Sequence, residues 1–244
     1  MSSNNKVALI TGANKGIGYE TALKLGQQGV TVYIGARDEQ RGNAAAGRLK
    51  ASGIDARFIK IDLGDYATID HAAEMLEHEH GRLDILVNNA GIMSTEDGSP
   101  VTTEMSVVKK TFDTNFFGAL YVTQKVIPLL QKAASARVVN VSSGLGSLAL
   151  NQDPSWEFAD AKLIGYNASK AALNMLTVQL AWVLRESAIK VNSANPNFTN
   201  TELLPDTTGG RPVEDAARVI IHLALLPEDG PTGGFFEDDV SLPW

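Results

Sequence analysis

Six short apolar runs, at 7–10, 30–34, 56–61, 83–87, 137–141 and 189–192, alternate with longer segments whose apolar residues mostly recur at helical spacing, and this alternation constrains the fold more than any other feature. Runs that are apolar at successive positions, rather than at every second one, are buried on both faces. Parallel strands need a crossover of a dozen or more residues between them, and the intervening segments have that length. The pattern predicts an α/β fold: a doubly wound parallel β-sheet with helices on both faces, which takes ligands outside the carboxyl ends of its strands. No repeat, low-complexity tract or shift of composition marks a linker, so the 244 residues are expected to form a single domain, 1–244.

The first run leads directly into T-G-A-N-K-G-I-G at 11–18 and then into a helical pattern. Gly12, Gly16 and Gly18 permit a tight turn and the close approach of a pyrophosphate to backbone N–H groups at a helix N-terminus, with Asn14, Lys15 and Ile17 in the same cradle. Glycines at a strand end also make simple turns; their place between strand and helix favours a cofactor. The second run is followed by Gly35, Ala36 and Arg37, where a cofactor with a free ribose 2′-hydroxyl calls for an acid. Arg37, together with Lys15, can instead hold a 2′-phosphate by charge-assisted contacts, which favours NADP(H) over NAD(H). The alternative is a solvated loop arginine answering Asp38 or Glu39.

Composition removes other classes of partner. The net charge is −7 and no block of lysine or arginine occurs, so nucleic acid and anionic membrane are poor partners. The absence of cysteine excludes disulfides, thiolate nucleophiles and cysteine-held metal. His71, His78, His80 and His222 form no ligand pattern and read as helix-surface residues, and no metal site is expected. The M-S-S-N-N-K start has no apolar signal segment, and no stretch approaches the roughly 18 apolar residues of a membrane span, so a cytoplasmic protein is expected.

Tyr166 and Lys170 lie one helical turn apart in Y-N-A-S-K, so a helix would aim the phenol and the amine at one small volume. A tyrosine with its free pKa of about 10 is a poor acid–base catalyst at neutral pH, and a neighbouring ammonium is the simplest way to favour its phenolate. Upstream, V-N-V-S-S ends a strand pattern. Adjacent serines on an extended strand point to opposite faces, so one of Ser142 and Ser143 can face a site at that strand end.

In order and spacing, T-G-A-N-K-G-I-G, Asp62-Leu63, N-N-A-G at 88–91, Asn115, V-N-V-S-S and Y-N-A-S-K resemble a short-chain dehydrogenase/reductase of the NADP-dependent carbonyl reductase kind, over essentially all of the chain. The resemblance implies a single-domain Rossmann-type fold and NADPH-dependent reduction of a ketone or aldehyde to the alcohol, on a mostly apolar small-molecule substrate. Oxidative work on an alcohol or hydroxysteroid, or a non-catalytic NADP-binding regulator, are the alternatives. It implies a catalytic tetrad of Asn115, Ser143, Tyr166 and Lys170. Tyr166 gives the proton and Ser143, rather than Ser142, bonds the carbonyl oxygen. Lys170 lowers the pKa of Tyr166 and meets the nicotinamide ribose, and Asn115 holds a water between Lys170 and solvent. On the cofactor side it places Asp62, with Leu63, at the adenine, Asn88 as a contact, and Asn89, Ala90 and Gly91 along the adenine-ribose side. Singly, each of these residues has a structural explanation, such as Asn115 capping or kinking its helix.

Two departures from the family pattern follow. P-N-F-T-N-T at 196–201 aligns Pro196, Thr199 and Thr201 with cofactor contacts but puts Asn197 where the family has glycine; asparagine tolerates left-handed backbone angles better than most residues. Ser143 and Tyr166 are 23 residues apart, more than is usual, which marks an insertion at about 147–162. With Trp156, Phe158, Leu145, Leu148 and Leu150 it is either part of the substrate wall or a surface excursion packing its own aromatics. The segment at about 197–212, with its Leu203-Leu204 pair, reads as a mobile flap over the substrate. The helix at 213–226 and the aromatics Phe198, Phe235, Phe236 and Trp244 read as core, and the resemblance leaves dimer, tetramer and monomer open.

Overall fold

The computed structural model describes residues 5–203 and 205–244; Leu204 of the predicted pair, and Met1 to Asn4, lie outside them. Eight strands form one sheet: β1 Val7–Thr11, β2 Thr31–Ala36, β3 Ala56–Lys60, β4 Ile85–Asn88, β5 Ala136–Val141, β6 Ile189–Ala194, β7 Phe235–Glu237 and β8 Val240–Ser241. Their order is β3-β2-β1-β4-β5-β6-β7-β8, and all pairs are parallel except β7 with β8. The chain winds outward from β1 to β3, then returns to the other side of β1 with β4, so the carboxyl ends of β1 and β4 flank the crevice where the order reverses.

Helices α1 Gly16–Gln27, α2 Glu39–Ala51, α3 Tyr66–His80, α4 Met105–Phe112, α5 Ala119–Leu130, α6 Leu148–Gln152, α7 Ile164–Val183 and α8 Val213–Ala224 follow in chain order. The side chains of β1 divide as a pleat requires: Ala8 and Ile10 join the core under α1, α2 and α8, while Val7 and Leu9 join the core under α3 and α5. Burial on both faces is why these strands read as continuous apolar runs.

The predicted strands are all present, with shifted ends. β2 runs on through Gly35 and Ala36, and β6 runs on through Ser193 and Ala194. The extension of β6 is polar because a buried chain of side chains crosses the sheet there. Asn88 donates to Asn140 Oδ1 and Thr123 Oγ1, each at 2.9 Å; Asn140 donates to Thr177 Oγ1 at 2.8 Å, and Thr177 meets Ser193 Oγ at 2.8 Å. Asn88 therefore departs from the expected contact: its amide nitrogen is spent inside the sheet and the residue does not line the crevice. His80 also departs from a surface reading, since it packs against the buried Tyr33 hydroxyl at 2.8 Å. Phe235 is core and stacks on Trp244 with ring centroids 5.4 Å apart, whereas Trp244 and Phe198 depart from the core reading and are partly exposed.

Arg137 on β5 is buried and anchors the end of the α8 segment. Its Nε and Nη2 donate to Leu226 O at 2.9 and 2.6 Å, and its Nη1 donates to Ala136 O at 2.8 Å. Arg137→Met leaves that Leu226 carbonyl buried without its donors. It is expected to cost about 2 kcal/mol in urea unfolding at an unchanged denaturant slope, and a loss below about 0.5 kcal/mol contradicts the anchoring role.

Candidate active site

A cleft of about 870 Å³ opens at the carboxyl ends of β1, β2, β4 and β5. Its floor is the predicted glycine turn. Gly12 has φ +67, and a Cβ there would lie 2.9 Å from Ala90 Cα, so only glycine lets the turn lie against the loop after β4. Thr11 and Asn89 clamp the two strand ends together: Thr11 Oγ1 accepts from the Asn89 and Ala90 N–H groups at 3.0 Å, and Asn89 Nδ2 donates to Thr11 O at 2.8 Å. α1 begins at Gly16 with no side-chain cap and no acid in its first turn, which leaves its first N–H groups for an anion.

Gly12, Asn14, Lys15, Gly16, Ile17 and Gly18 all line the cleft, as do Arg37, Asp62, Leu63 and the 89–91 turn. Arg37 makes no salt bridge among the described residues. Asp38 instead caps α2 and pairs with Arg41, while Glu39 pairs with Lys60 at 3.2 Å, so the solvated-pair reading of Arg37 loses its partners. Lys15 is paired with Glu202 across the mouth, an acid that sequence reasoning did not connect to it.

Asn115 stands in a π-helical turn, Asp113–Gly118, between α4 and α5, and an extra residue in a helix is a common way to re-aim a functional side chain. It is buried, and its amide grips the backbone of Ile92 from both sides. Oδ1 accepts from Ile92 N at 2.8 Å, and Nδ2 donates to Ile92 O at 2.9 Å and to Ser169 Oγ at 3.0 Å. Both amide protons are therefore engaged, and toward a water Asn115 retains acceptor capacity alone. Neither Ile92 nor Met93, which line the cleft here, carried a sequence signal.

Tyr166 and Lys170 lie on the buried face of α7. Lys170 Nζ donates to Val141 O, at the end of β5, at 2.8 Å and sits 5.6 Å from the centroid of the Tyr166 ring. A Cβ on Gly91 would lie 3.3 Å from Asn115 Oδ1 and 3.4 Å from Lys170 Nζ, so these two side chains converge on one point of the cleft wall. Burial pushes the Tyr166 phenol up to about 12, against the effect of a hydrogen bond with Ser143. Burial likewise brings the Lys170 ammonium down to about 8. In the protein alone, desolvation is the larger effect on the phenol and the Ser143 hydrogen bond the smaller, opposing one. Of the adjacent serines, Ser143 acts on the Tyr166 phenol but does not line the cleft, whereas Ser142 lines it, with its Oγ turned to Lys170 O at 3.4 Å.

The far wall agrees with the sequence in part. Pro196 and Thr201 line the cleft; Asn197 and Thr199 do not, and Asn200 does. Asn197 has φ 56, the left-handed angle its glycine-like position requires, and its amide is drawn away to Glu237 Oε1 at 2.7 Å. Thr199 is buried, with its hydroxyl on Pro196 O at 3.1 Å. The base of the 197–212 segment is closed by Asn200 N–H to Arg211 O and Arg211 N–H to Phe198 O, each at 2.9 Å, and Leu203, Pro205 and Thr207 of its tip line the cleft. In the insertion Trp156 and Phe158 pack on each other, with centroids 5.5 Å apart, and none of Trp156, Phe158, Leu145, Leu148 and Leu150 lines the cleft. Trp156 packs on Gly144, beside Ser143, and Phe158 reaches Phe198 with centroids 6.4 Å apart, although Leu148 is exposed.

A model of the short chain dehydrogenase family matches residues 6–211. Carbonyl reductase [NADPH] 1 of Mus musculus is 33% identical, with 100% of both chains covered, and (+)-neomenthol dehydrogenase of Capsicum annuum is 30% identical over 96% of each. Among solved structures, NADPH-bound carbonyl reductase from chicken fatty liver superposes with a TM-score of 0.84 at 26% identity, covering 99% of this chain and 100% of that one. Salutaridine reductase from Papaver somniferum gives 0.80 at 29%, covering 96% and 100%.

Because Lys170 falls from 10.5 to about 8 on folding, the unfolded chain binds more protons between those values, and stability rises with pH across that window. Lys170→Met removes the buried charge and is expected to be more stable than the parent by ~2 kcal/mol at pH 7, with the gap closing between pH 8 and 10.5. Urea unfolding at several pH values measures this; equal stability at pH 7 contradicts the burial cost assigned to the ammonium.

Proposed function

The chain belongs to the short-chain dehydrogenase family, and on that premise we propose that it reduces a mostly apolar ketone or aldehyde to the alcohol, with Tyr166 as the proton donor. It is an NADP-dependent short-chain carbonyl reductase. The observation that carries it is that Tyr166 and the buried Lys170 line the end of the cleft that begins in the glycine turn, with Ser143 acting on the Tyr166 phenol.

The residues present fit NADP(H). The uncapped start of α1 offers N–H groups to a pyrophosphate, Gly12 leaves no bulk in its way, and Arg37 is a cation without a carboxylate partner among the described residues where a 2′-phosphate would lie. Asp62 and Leu63 line the same cleft, where they would meet the adenine. When bound, the reduced nicotinamide supplies a hydride to the carbonyl carbon.

The chain's own residues handle the proton. At neutral pH a phenol raised to about 12 is fully protonated, the form that can donate, and an amine at about 8 is mostly ammonium. Tyr166 therefore gives its proton to the carbonyl oxygen while the Lys170 charge lowers the energy of the phenolate left behind. Ser143 bonds the same oxygen and must bond it more strongly as charge develops, since uniform binding does not lower the barrier. Asn115 holds Ile92, and with it the wall of the cleft, beside Lys170.

Tyr166→Phe is expected to keep NADPH binding and to lose ketone reduction by about 10²–10⁴-fold, the usual weight of a general acid. Parental turnover in that variant would remove the proton-donor role. Ala36→Asp combined with Arg37→Gln is expected to lower the NADPH-to-NADH ratio of kcat/KM at least tenfold, and an unchanged ratio contradicts the assignment of Arg37 to the 2′-phosphate.

A further inference from the structure

The geometry points to Asp97 as a positioning residue for Tyr166, acting as the N-terminal cap of the catalytic helix from 68 residues upstream; the inference rests on the role given to Tyr166 above. A helix leaves its first N–H groups without intrahelical acceptors, and a Ser, Thr, Asp or Asn at the N-cap ordinarily takes one of them. The N-cap of α7 is Leu163, which has no such group, and no acid lies in the first turn. Yet all three leading amides are satisfied. Ile164 N–H donates to Gly98 O at 2.9 Å, Gly165 N–H to Asp97 Oδ1 at 3.0 Å, and Tyr166 N–H to Asp97 Oδ2 at 2.7 Å.

Asp97 is buried, so its carboxylate has left water for these amides and for the N–H of Gly98, at 2.9 Å. A carboxylate at a helix N-terminus is also favoured by the helix dipole, and burial strengthens that attraction. The approach is close: a Cβ added at Gly165 would lie 3.0 Å from Asp97 Oδ2, so glycine there makes room for the cap. Gly98 is held in turn by Thr103, whose Oγ1 accepts from its N–H at 3.0 Å.

Asp97 belongs to the segment between β4 and α4 that also carries Ile92 and Met93 of the cleft wall. It therefore ties the backbone of Tyr166 to the wall that Asn115 fixes, while Lys170 ties the same helix to β5 through Val141. Two anchors one turn apart set where the phenol stands relative to Ser143. Loss of the first lets the opening turn of α7 fray and moves the proton donor while leaving the glycine turn untouched, and displacements of about 1 Å in a reacting group can cost about 10²-fold in rate.

The test uses full-length Asp97→Ala, Asp97→Asn, Gly165→Ala and Tyr166→Phe. It measures kcat with NADPH and an aryl ketone, the Kd for NADPH by fluorescence, and amide hydrogen exchange at Gly165 and Tyr166. Asp97→Ala is expected to lose about 10²-fold in kcat, to bind NADPH within threefold of the parent, and to exchange those two amides faster while the middle of α7 stays protected. Asp97→Asn, which keeps one acceptor oxygen, is expected to recover at least tenfold of that loss. Parental kcat in Asp97→Ala with Tyr166→Phe inactive overturns the inference alone, whereas parental kcat in Tyr166→Phe overturns the reading beneath it. Equal losses of kcat and NADPH affinity also overturn it, because they mark general unfolding. If Asp97→Ala does not fold, Asp97→Asn and Gly165→Ala decide: slow turnover with intact NADPH binding supports the cap, and parental kcat in both overturns it.

Discussion

One buried hydrogen bond, from the Lys170 ammonium to the carbonyl of Val141, joins the catalytic helix to the central strand on which Ser143 follows. Among the described residues no carboxylate pairs with it to repay the loss of water, and the amine is correspondingly easier to deprotonate than a free lysine. A chain selected for stability alone would place an apolar residue here. On the proposed mechanism the charge is the partner of a phenol that must briefly become phenolate in the same desolvated volume. The pair loses protons in order, amine first and phenol second, so near neutrality it holds both things that carbonyl reduction needs: a proton to give and a cation to steady what remains.

The rest of the site brings that pair to the end of the cofactor cleft. The order of the sheet reverses between β1 and β4, opening the crevice, and the Thr11–Asn89 clamp keeps the two strand ends in register there. The π turn at Asn115 fixes Ile92, and Arg137 and the Asn88–Asn140–Thr177 chain hold β4, β5 and their helices together from within. At the mouth the charges are unequal. Arg37 has no carboxylate partner among the described residues, whereas Lys15 is already held by Glu202 on the loop that lines the far wall of the cleft.

Most of this was legible in the sequence where a signal is local. A strand buried on both faces reads as an apolar run, a glycine turn between strand and helix reads as a phosphate cradle, and Tyr166 and Lys170 at helical spacing read as one face. Asn197 was legible too, as a residue able to adopt the left-handed angle that it has. What stayed hidden joins distant positions or depends on burial. Asp97 looks like part of a polar turn, T-E-D-G-S, until α7 is folded against it. Asn88 and Asn89 are adjacent and chemically identical, and only the pleat sends one into the sheet and the other to the cleft. The high pKa of Tyr166 could not be read from its spacing to Lys170, because spacing reports the cation and not the loss of water around the ring.

The most direct measurement is the pH dependence of kcat/KM for a ketone at saturating NADPH, in the parent and in Lys170→Arg, whose guanidinium keeps its charge throughout. If the ammonium steadies the phenolate, the parental rate is level near neutrality and falls as Lys170 loses its proton around pH 8, and the fall moves to much higher pH in the arginine variant. A parental profile that stays level to pH 10, or the same fall in both proteins, would contradict the account.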